Sequence, residues 1–115
     1  TNKNFFQKYY KKPLGRAQLL YYPVPMDPKT QIYGVGPHTD LGVITILLND
    51  ENPGLQFYSR LYEKWIDVKP IKGTLIINIG DLLERWTASK LKSTIHRVVN
   101  RNRNKDRYGI SIFYD

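Results

Sequence analysis

The fold and the chemistry of this chain are organised around residues 36–42, which read GPHTDLG. His38 and Asp40 are two residues apart, so in an extended strand both side chains point to the same face. The second of the two histidines, His96, lies in the β-branched run 93–99 (STIHRVV), which also predicts a strand. Two imidazoles and one carboxylate can occupy one face of a non-haem Fe(II) ion and leave its other positions open. The pattern predicts a metal site, provided that the fold returns His96 to the other pair.

The spacing alone leaves other interpretations open. A His-x-Asp pair arises readily by chance, and a histidine in a strand is more often packed against its neighbours or exposed than bound to a metal. The residues that surround the three candidates are needed to choose between these interpretations.

Those surrounding motifs follow one another in order, without large gaps, from about residue 19 to the end of the chain. They are HTDLG at 38–42 with Thr45, GLQ at 54–56, WIDV at 65–68 with Pro70, GTLIINIGD at 73–81, WT at 86–87, HRV at 96–98 and RY at 107–108. In this order they closely resemble the Fe(II)/2-oxoglutarate-dependent dioxygenases of the isopenicillin N synthase-like family.

The resemblance implies an oxidoreductase that uses Fe(II), 2-oxoglutarate and O2. Such an enzyme oxidises an unactivated C–H bond of a small organic substrate while 2-oxoglutarate is decarboxylated to succinate. His38, Asp40 and His96 are the implied metal ligands. Arg107 is the implied partner of the distal carboxylate of 2-oxoglutarate, and Tyr22 is implied to reach the carboxylate of the co-substrate or substrate. The alternatives are that Arg107 is one more surface arginine and Tyr22 an ordinary core residue.

The chain departs from the family pattern at the co-substrate. Gly109 stands where the Arg-x-Ser motif has its serine, and Leu20 stands where many plant members have an asparagine. Ser111 is on the same strand face as Arg107, but it lies two residues beyond Gly109, or roughly 7 Å along the strand. Two alternatives therefore stay open: an Fe(II) oxidase of the isopenicillin N synthase type that does not use 2-oxoglutarate, and a catalytically silent metal-binding jelly-roll module.

Short β-branched segments separated by turns, with little helix, predict an all-β sandwich or barrel. With the resemblance, the prediction becomes a double-stranded β-helix (a cupin-like jelly roll) with one or two short helices. The 74–79 strand should be buried on both faces because it is almost wholly apolar, and Asp81 should cap the helix that follows. The predicted strands are 17–22, 33–38, 43–48, 55–59, 64–68, 74–79, 93–99 and 108–114, and the predicted helices are 3–12, packed against the sheet, and 81–88.

The 115 residues are expected to form a single core domain, 1–115, that lacks a flanking N-terminal region and a closing C-terminal helix. No cysteine is present, which excludes disulfides and thiolate metal sites. The net charge of +8 could indicate nucleic-acid binding, but the basic residues fall into two separate groups and the second resembles a solvated turn, so this function is not favoured. No apolar run approaches the length of a membrane span, and a cytoplasmic location is expected.

Overall fold

Eight strands form two antiparallel four-stranded sheets in the computed structural model, which describes residues 4–9, 11–26, 33–100 and 104–115. The strands are β1 (Gly15–Tyr22), β2 (Tyr33–His38), β3 (Ile44–Asn49), β4 (Leu55–Ser59), β5 (Lys64–Asp67), β6 (Ile76–Ile79), β7 (His96–Val99) and β8 (Arg107–Tyr114), and the helices are α1 (Phe5–Tyr9) and α2 (Asp81–Trp86). One sheet has the order β1-β8-β3-β6 and the other the order β2-β7-β4-β5. This is the predicted all-β jelly roll with two short helices.

The hydrophobic core lies between the two sheets. Tyr22 and Leu47 contribute to it from the first sheet, and Leu55 and Val98 contribute from the second. Strand residues that point inward alternate with residues that point outward, so each sheet supplies every second side chain to the interior. The buried polar side chains that line the space between the sheets are Asp40, Thr45, His96, Arg107 and Ser111. Buried polar groups need partners, and this concentration marks the part of the core where a site should be sought.

The prediction that residues 74–79 are buried on both faces is wrong. β6 is an edge strand that pairs only with β3 among the described strands. Leu75 and Ile77 are 58% and 50% exposed, because alternate side chains of an edge strand point away from the core. The apolar run therefore has one half-buried face and one exposed apolar face.

The predicted packing of the first helix against the sheet is also wrong. α1 has no buried residue, and Phe5, Phe6 and Tyr9 are 44%, 46% and 61% exposed. Phe6 contacts Trp86 of α2 instead, with the ring centroids 6.3 Å apart. Residues 3 and 10 of the predicted helix lie outside the described residues. Neither described helix is long and apolar enough to cross a membrane.

Candidate active site

The two histidines meet because β2 and β7 are neighbouring antiparallel strands. His38 is the last residue of β2, His96 is the first residue of β7, and the two are paired across the sheet with ring centroids 4.3 Å apart. Asp40 follows β2 by two residues. Nitrogen atoms of both imidazoles and a carboxylate oxygen of Asp40 all lie within 4.8 Å of one another. The structure thus brings together all three predicted metal ligands, although His38 and His96 are far apart in sequence.

Backbone carbonyls orient both imidazole rings in the same way. Nδ1 of His38 is 2.8 Å from the carbonyl oxygen of Gly36, and Nδ1 of His96 is 3.0 Å from that of Thr94. A carbonyl only accepts hydrogen bonds, so Nδ1 is the donor in both contacts and Nε2 is the ring nitrogen that faces Asp40. The Nε2 atoms lie 3.6 and 3.7 Å from Oδ1 of Asp40. The three atoms able to bind a cation therefore converge on one point.

Asn78 of β6 orients the carboxylate and was missed at the sequence level. Its Nδ2 donates to Oδ2 of Asp40 and lies equally close to Nε2 of His96, at 3.4 Å in each case. Because Oδ2 is engaged, Oδ1 is the oxygen left to face the two imidazoles. A lone asparagine inside the apolar run 74–79 was the available signal, since a polar residue on a buried face needs a partner.

The turn that carries Asp40 is held by the beginning of α2. The first N–H groups of a helix have no partner inside the helix, and here they bind the turn. The N–H groups of Gly80, Asp81 and Leu82 donate to the carbonyls of Val43, Asp40 and Gly42 at 2.9, 2.8 and 3.1 Å. A Cβ at position 80 would overlap the Gly42 carbonyl, so this approach requires glycine.

The prediction that Asp81 caps α2 is wrong. Gly80 is the N-cap residue, so no side-chain hydrogen bond caps the helix, and Asp81 is the first helical residue. Its Oδ2 accepts a hydrogen bond of 3.1 Å from the hydroxyl of Thr39, the residue between the two ligands of the His-x-Asp pair. Asp81 therefore holds the 39–43 turn, called the metal turn below, through its side chain as well as through its backbone N–H.

A cavity of about 120 Å³ between the sheets joins the triad to Arg107. Fifteen residues line it: Gln18, Leu20, Tyr22, Val35, His38, Asp40, Thr45, Leu47, Asn49, Leu55, His96, Val98, Arg107, Ser111 and Phe113. Six of the fifteen side chains are purely apolar, and the other nine carry polar groups that can fix the orientation of a small ligand.

Arg107 is a buried cation and not a surface arginine. It is 2% exposed, and its Nη2 donates to Oδ1 of Asn49 at 2.7 Å. Its Nε and Nη1 are buried and have no hydrogen-bond partner within the described ranges. Burial lowers the pKa of Arg107, while Tyr22 and Asp50 act in the opposite direction. Two unpaired donors on a buried cation are costly, and an anionic ligand bound against the guanidinium would reduce this cost.

Tyr22 lies beside this guanidinium in the core. The Arg107 guanidinium carbon is 5.0 Å from the centroid of the Tyr22 ring, and Tyr22 is 7% exposed. Burial raises the pKa of Tyr22 and the charge of Arg107 opposes the rise, so the phenol keeps its proton. The two predicted co-substrate residues therefore share one cavity with the triad.

Arg97 is a second basic residue that does not belong to a solvated turn. Its guanidinium lies 3.9 Å from the centroid of the Trp65 ring, and its Nε donates to Oε1 of Gln56 at 2.7 Å. Gln56 in turn donates to Asp67 at 2.8 Å. These contacts tie β7, which carries His96, to β4 and β5. The nearby arginines Arg101 and Arg103 lie outside the described residues.

The chain belongs to the 2OG-Fe(II) oxygenase superfamily, whose family model matches residues 2–115. It is 38% identical to the 2-oxoglutarate-Fe(II) type oxidoreductase hxnY of Emericella nidulans over 116 aligned residues. The alignment covers 99% of this chain and 33% of that protein.

Solved structures agree in fold. JOX2 in complex with 2OG, Fe and JA is 35% identical with a TM-score of 0.87, over 97% of this chain and 33% of that one. The dioxygenase for auxin oxidation 1 from Arabidopsis thaliana, in a complex with 2-oxoglutarate, is 31% identical with a TM-score of 0.77, over 86% of this chain and 38% of that one. The chain spans about a third of the length of the relatives it matches.

Proposed function

We propose that this chain is the catalytic core of an Fe(II)- and 2-oxoglutarate-dependent dioxygenase that oxidises a C–H bond of a small organic substrate. The observation that carries the proposal is one cavity lined both by His38, Asp40 and His96 and by the buried, partly unpaired Arg107. Family membership and relatives whose names include 2-oxoglutarate support it.

The donor set fits Fe(II). Two neutral imidazoles and one carboxylate suit a non-haem ferrous site that keeps positions open for a co-substrate and O2. His38 and His96 would bind through Nε2, because each Nδ1 is engaged by a carbonyl. Asp40 would bind through Oδ1, because Oδ2 accepts from Asn78. When bound, iron together with the oxo acid supplies the activation of O2 that no protein side chain provides.

The surroundings of Arg107 fit the distal carboxylate of 2-oxoglutarate. A guanidinium donates to a carboxylate through two parallel N–H groups on one edge, either Nε with Nη2 or Nη1 with Nη2. Nε and Nη1 are both without a partner within the described residues, so each edge offers one unpaired donor beside Nη2. The protonated phenol of Tyr22 is a further donor on the same side of the cavity. The apolar lining would exclude water from the reacting groups and strengthen these polar contacts. The lining side chains that do so are Leu20, Val35, Leu47, Leu55, Val98 and Phe113.

One feature favours a second candidate, the oxidase that works without 2-oxoglutarate. Gly109 removes the hydroxyl that the family motif places beside the arginine. The unpaired donors of Arg107 call for an anionic ligand. 2-Oxoglutarate supplies one, whereas the oxidase would have to take it from its substrate.

Oxygen consumption tests the proposal. The protein is loaded with Fe(II) under nitrogen, mixed with O2, and followed with an oxygen electrode and by succinate analysis, with and without 2-oxoglutarate. We expect oxygen uptake that depends on 2-oxoglutarate and yields succinate, and that is lost in Asp40→Ala. Uptake without 2-oxoglutarate would favour the oxidase. No uptake, with tight binding of Zn(II), would favour the silent metal-binding module.

A further inference from the structure

Asn49, the last residue of β3, is the cross-strand partner of Gly109 and contacts the guanidinium of Arg107. We infer that Asn49 replaces the missing serine hydroxyl: its side-chain oxygen positions Arg107, and its Nδ2 donates to the distal carboxylate of a 2-oxo dicarboxylic acid. The inference rests on the proposed function and deepens it, because it assigns a specificity-determining residue to the co-substrate site.

The direction of the Asn49 amide follows from its partner. Nη2 of Arg107 is 2.7 Å from the amide, and a guanidinium can only donate hydrogen bonds. The oxygen of the amide must therefore face Arg107, and the nitrogen must point elsewhere. Within the part of the chain that the structure describes, Nδ2 of Asn49 donates no hydrogen bond. Asn49 also lines the cavity together with Arg107, so an anion held by Arg107 lies beside a free amide donor.

Gly109 provides the space that Asn49 uses. Asn49 and Gly109 are partners across β3 and β8. A Cβ at position 109 would lie 3.1 Å from Oδ1 of Asn49 and 3.4 Å from the carbonyl oxygen of Leu48. The first distance is tighter than ordinary contact, so a side chain at position 109 would require the Asn49 amide to move by a few tenths of an ångström. Glycine at 109 leaves the amide where it accepts the hydrogen bond from Arg107.

The backbone around Asn49 is held firmly enough for a positioning role. The N–H of Asp50 donates to the carbonyl of Tyr108 at 3.2 Å, and the N–H of Tyr108 donates to Oδ2 of Asp50 at 2.8 Å. These bonds continue the ladder between β3 and β8 beyond Asn49. The amide therefore projects from a fixed backbone toward Arg107.

Ser111 is the other hydroxyl available to the site, and it lies too far along the strand. It is buried and faces the cavity, but it is four residues beyond Arg107 on β8, or roughly 13 Å at the rise of an extended strand. Asn49 contacts the guanidinium directly, so it is the better candidate for a carboxylate that Arg107 binds.

The test is a binding measurement that does not depend on turnover. Mn(II)-loaded protein is titrated calorimetrically with 2-oxoglutarate and with 2-oxobutyrate, which has no distal carboxylate. The variants are Asn49→Ala, Gly109→Ser, the double variant, and Ser111→Ala. Mn(II) affinity, measured for each variant, shows that the fold and the triad are intact.

We expect Asn49→Ala to weaken 2-oxoglutarate binding about tenfold or more, as for loss of a hydrogen bond to a charged group, and to leave 2-oxobutyrate binding unchanged. Gly109→Ser alone should weaken binding through its collision with Asn49. In the Asn49→Ala background the same serine should restore binding to within about threefold of the wild type. The effect of Gly109→Ser thus reverses sign between the two backgrounds, which general destabilisation would not produce.

An Asn49→Ala protein that binds 2-oxoglutarate like the wild type overturns the inference, as does a double variant weaker than both single variants. A larger loss in Ser111→Ala than in Asn49→Ala also overturns it. If the wild type itself binds no 2-oxoglutarate, the proposed function fails and the inference fails with it. If the wild type binds 2-oxoglutarate and Asn49→Ala binds it equally well, the inference fails and the proposed function stands.

Discussion

Replacement of Arg107 by methionine should separate co-substrate binding from fold stability. In the ligand-free protein the change removes a buried cation with two unpaired donors, Nε and Nη1, and each unsatisfied group costs about 1–3 kcal/mol. It also removes the charged hydrogen bond to Asn49 and the contact with the Tyr22 ring, together about 2–5 kcal/mol. The two sums are similar, so the free energy of unfolding without ligand should change by less than about 2 kcal/mol.

Binding of 2-oxoglutarate should respond much more strongly to the same change. Two charge-assisted hydrogen bonds are lost, each contributing about 1.5–3 kcal/mol, which corresponds to about 10²- to 10⁴-fold weaker binding. Calorimetry of the Mn(II)-loaded protein under nitrogen gives the affinity, and thermal unfolding with and without 2-oxoglutarate gives the stability. Arg16→Met is the matched control, since Arg16 is an exposed arginine paired with Asp115, and it should alter neither the affinity nor the ligand-induced shift. Binding by Arg107→Met within threefold of the wild type would show that Arg107 does not hold the distal carboxylate.

Three further substitutions test the contacts that α2 and β6 make near the triad. Asn78→Ala should weaken Fe(II) binding about 10- to 100-fold in an equilibrium titration, because the Asp40 carboxylate loses its orienting donor; unchanged affinity would remove Asn78 from the site. A hydrogen bond from the Ser93 N–H lowers the pKa of Glu84, so the stabilisation is present above the ordinary glutamate pKa and is lost as the pH falls through the lowered one. Glu84→Gln should therefore lower the melting temperature at neutral pH and have little effect near pH ~3; an equal effect at both values would contradict this. Gly80→Ala should reduce metal affinity and stability together, because its Cβ overlaps the carbonyl of the metal turn; a neutral result in both assays would show that this turn moves freely.

Sequence reasoning grouped the three candidate ligands because the chemistry of a triad depends on residue type. Two histidines and a carboxylate in strand contexts, set among ordered motifs, identified His38, Asp40 and His96 as a group. The alternation of β-branched residues was sufficient for most strands, since a period of two is a local property. Burial of Arg107 was expected only from the family resemblance, because in composition it is one more member of a basic run.

The errors came from properties that depend on tertiary position. An apolar run such as 74–79 reads the same in a central strand and in an edge strand, and only the sheet order shows that Ile77 points outward. Asp81 has the residue type of a helix cap, but the close approach of the 39–43 turn to the helix makes Gly80 the cap and gives the carboxylate to Thr39. Asn49 carried no local signal. Its importance follows from its cross-strand pairing with Gly109, which sequence alone does not reveal.

The most direct test of the central claim is an anaerobic titration with Fe(II) followed by 2-oxoglutarate, recorded as visible absorption. A 2-oxo acid chelated to Fe(II) gives a charge-transfer band that neither component gives alone. We expect one Fe(II) per chain and a band that saturates with 2-oxoglutarate, disappears in His96→Ala, and needs far more 2-oxoglutarate in Arg107→Met. A band that persists at full strength in His96→Ala, or a chain that binds Fe(II) as well without that histidine, would contradict the central claim.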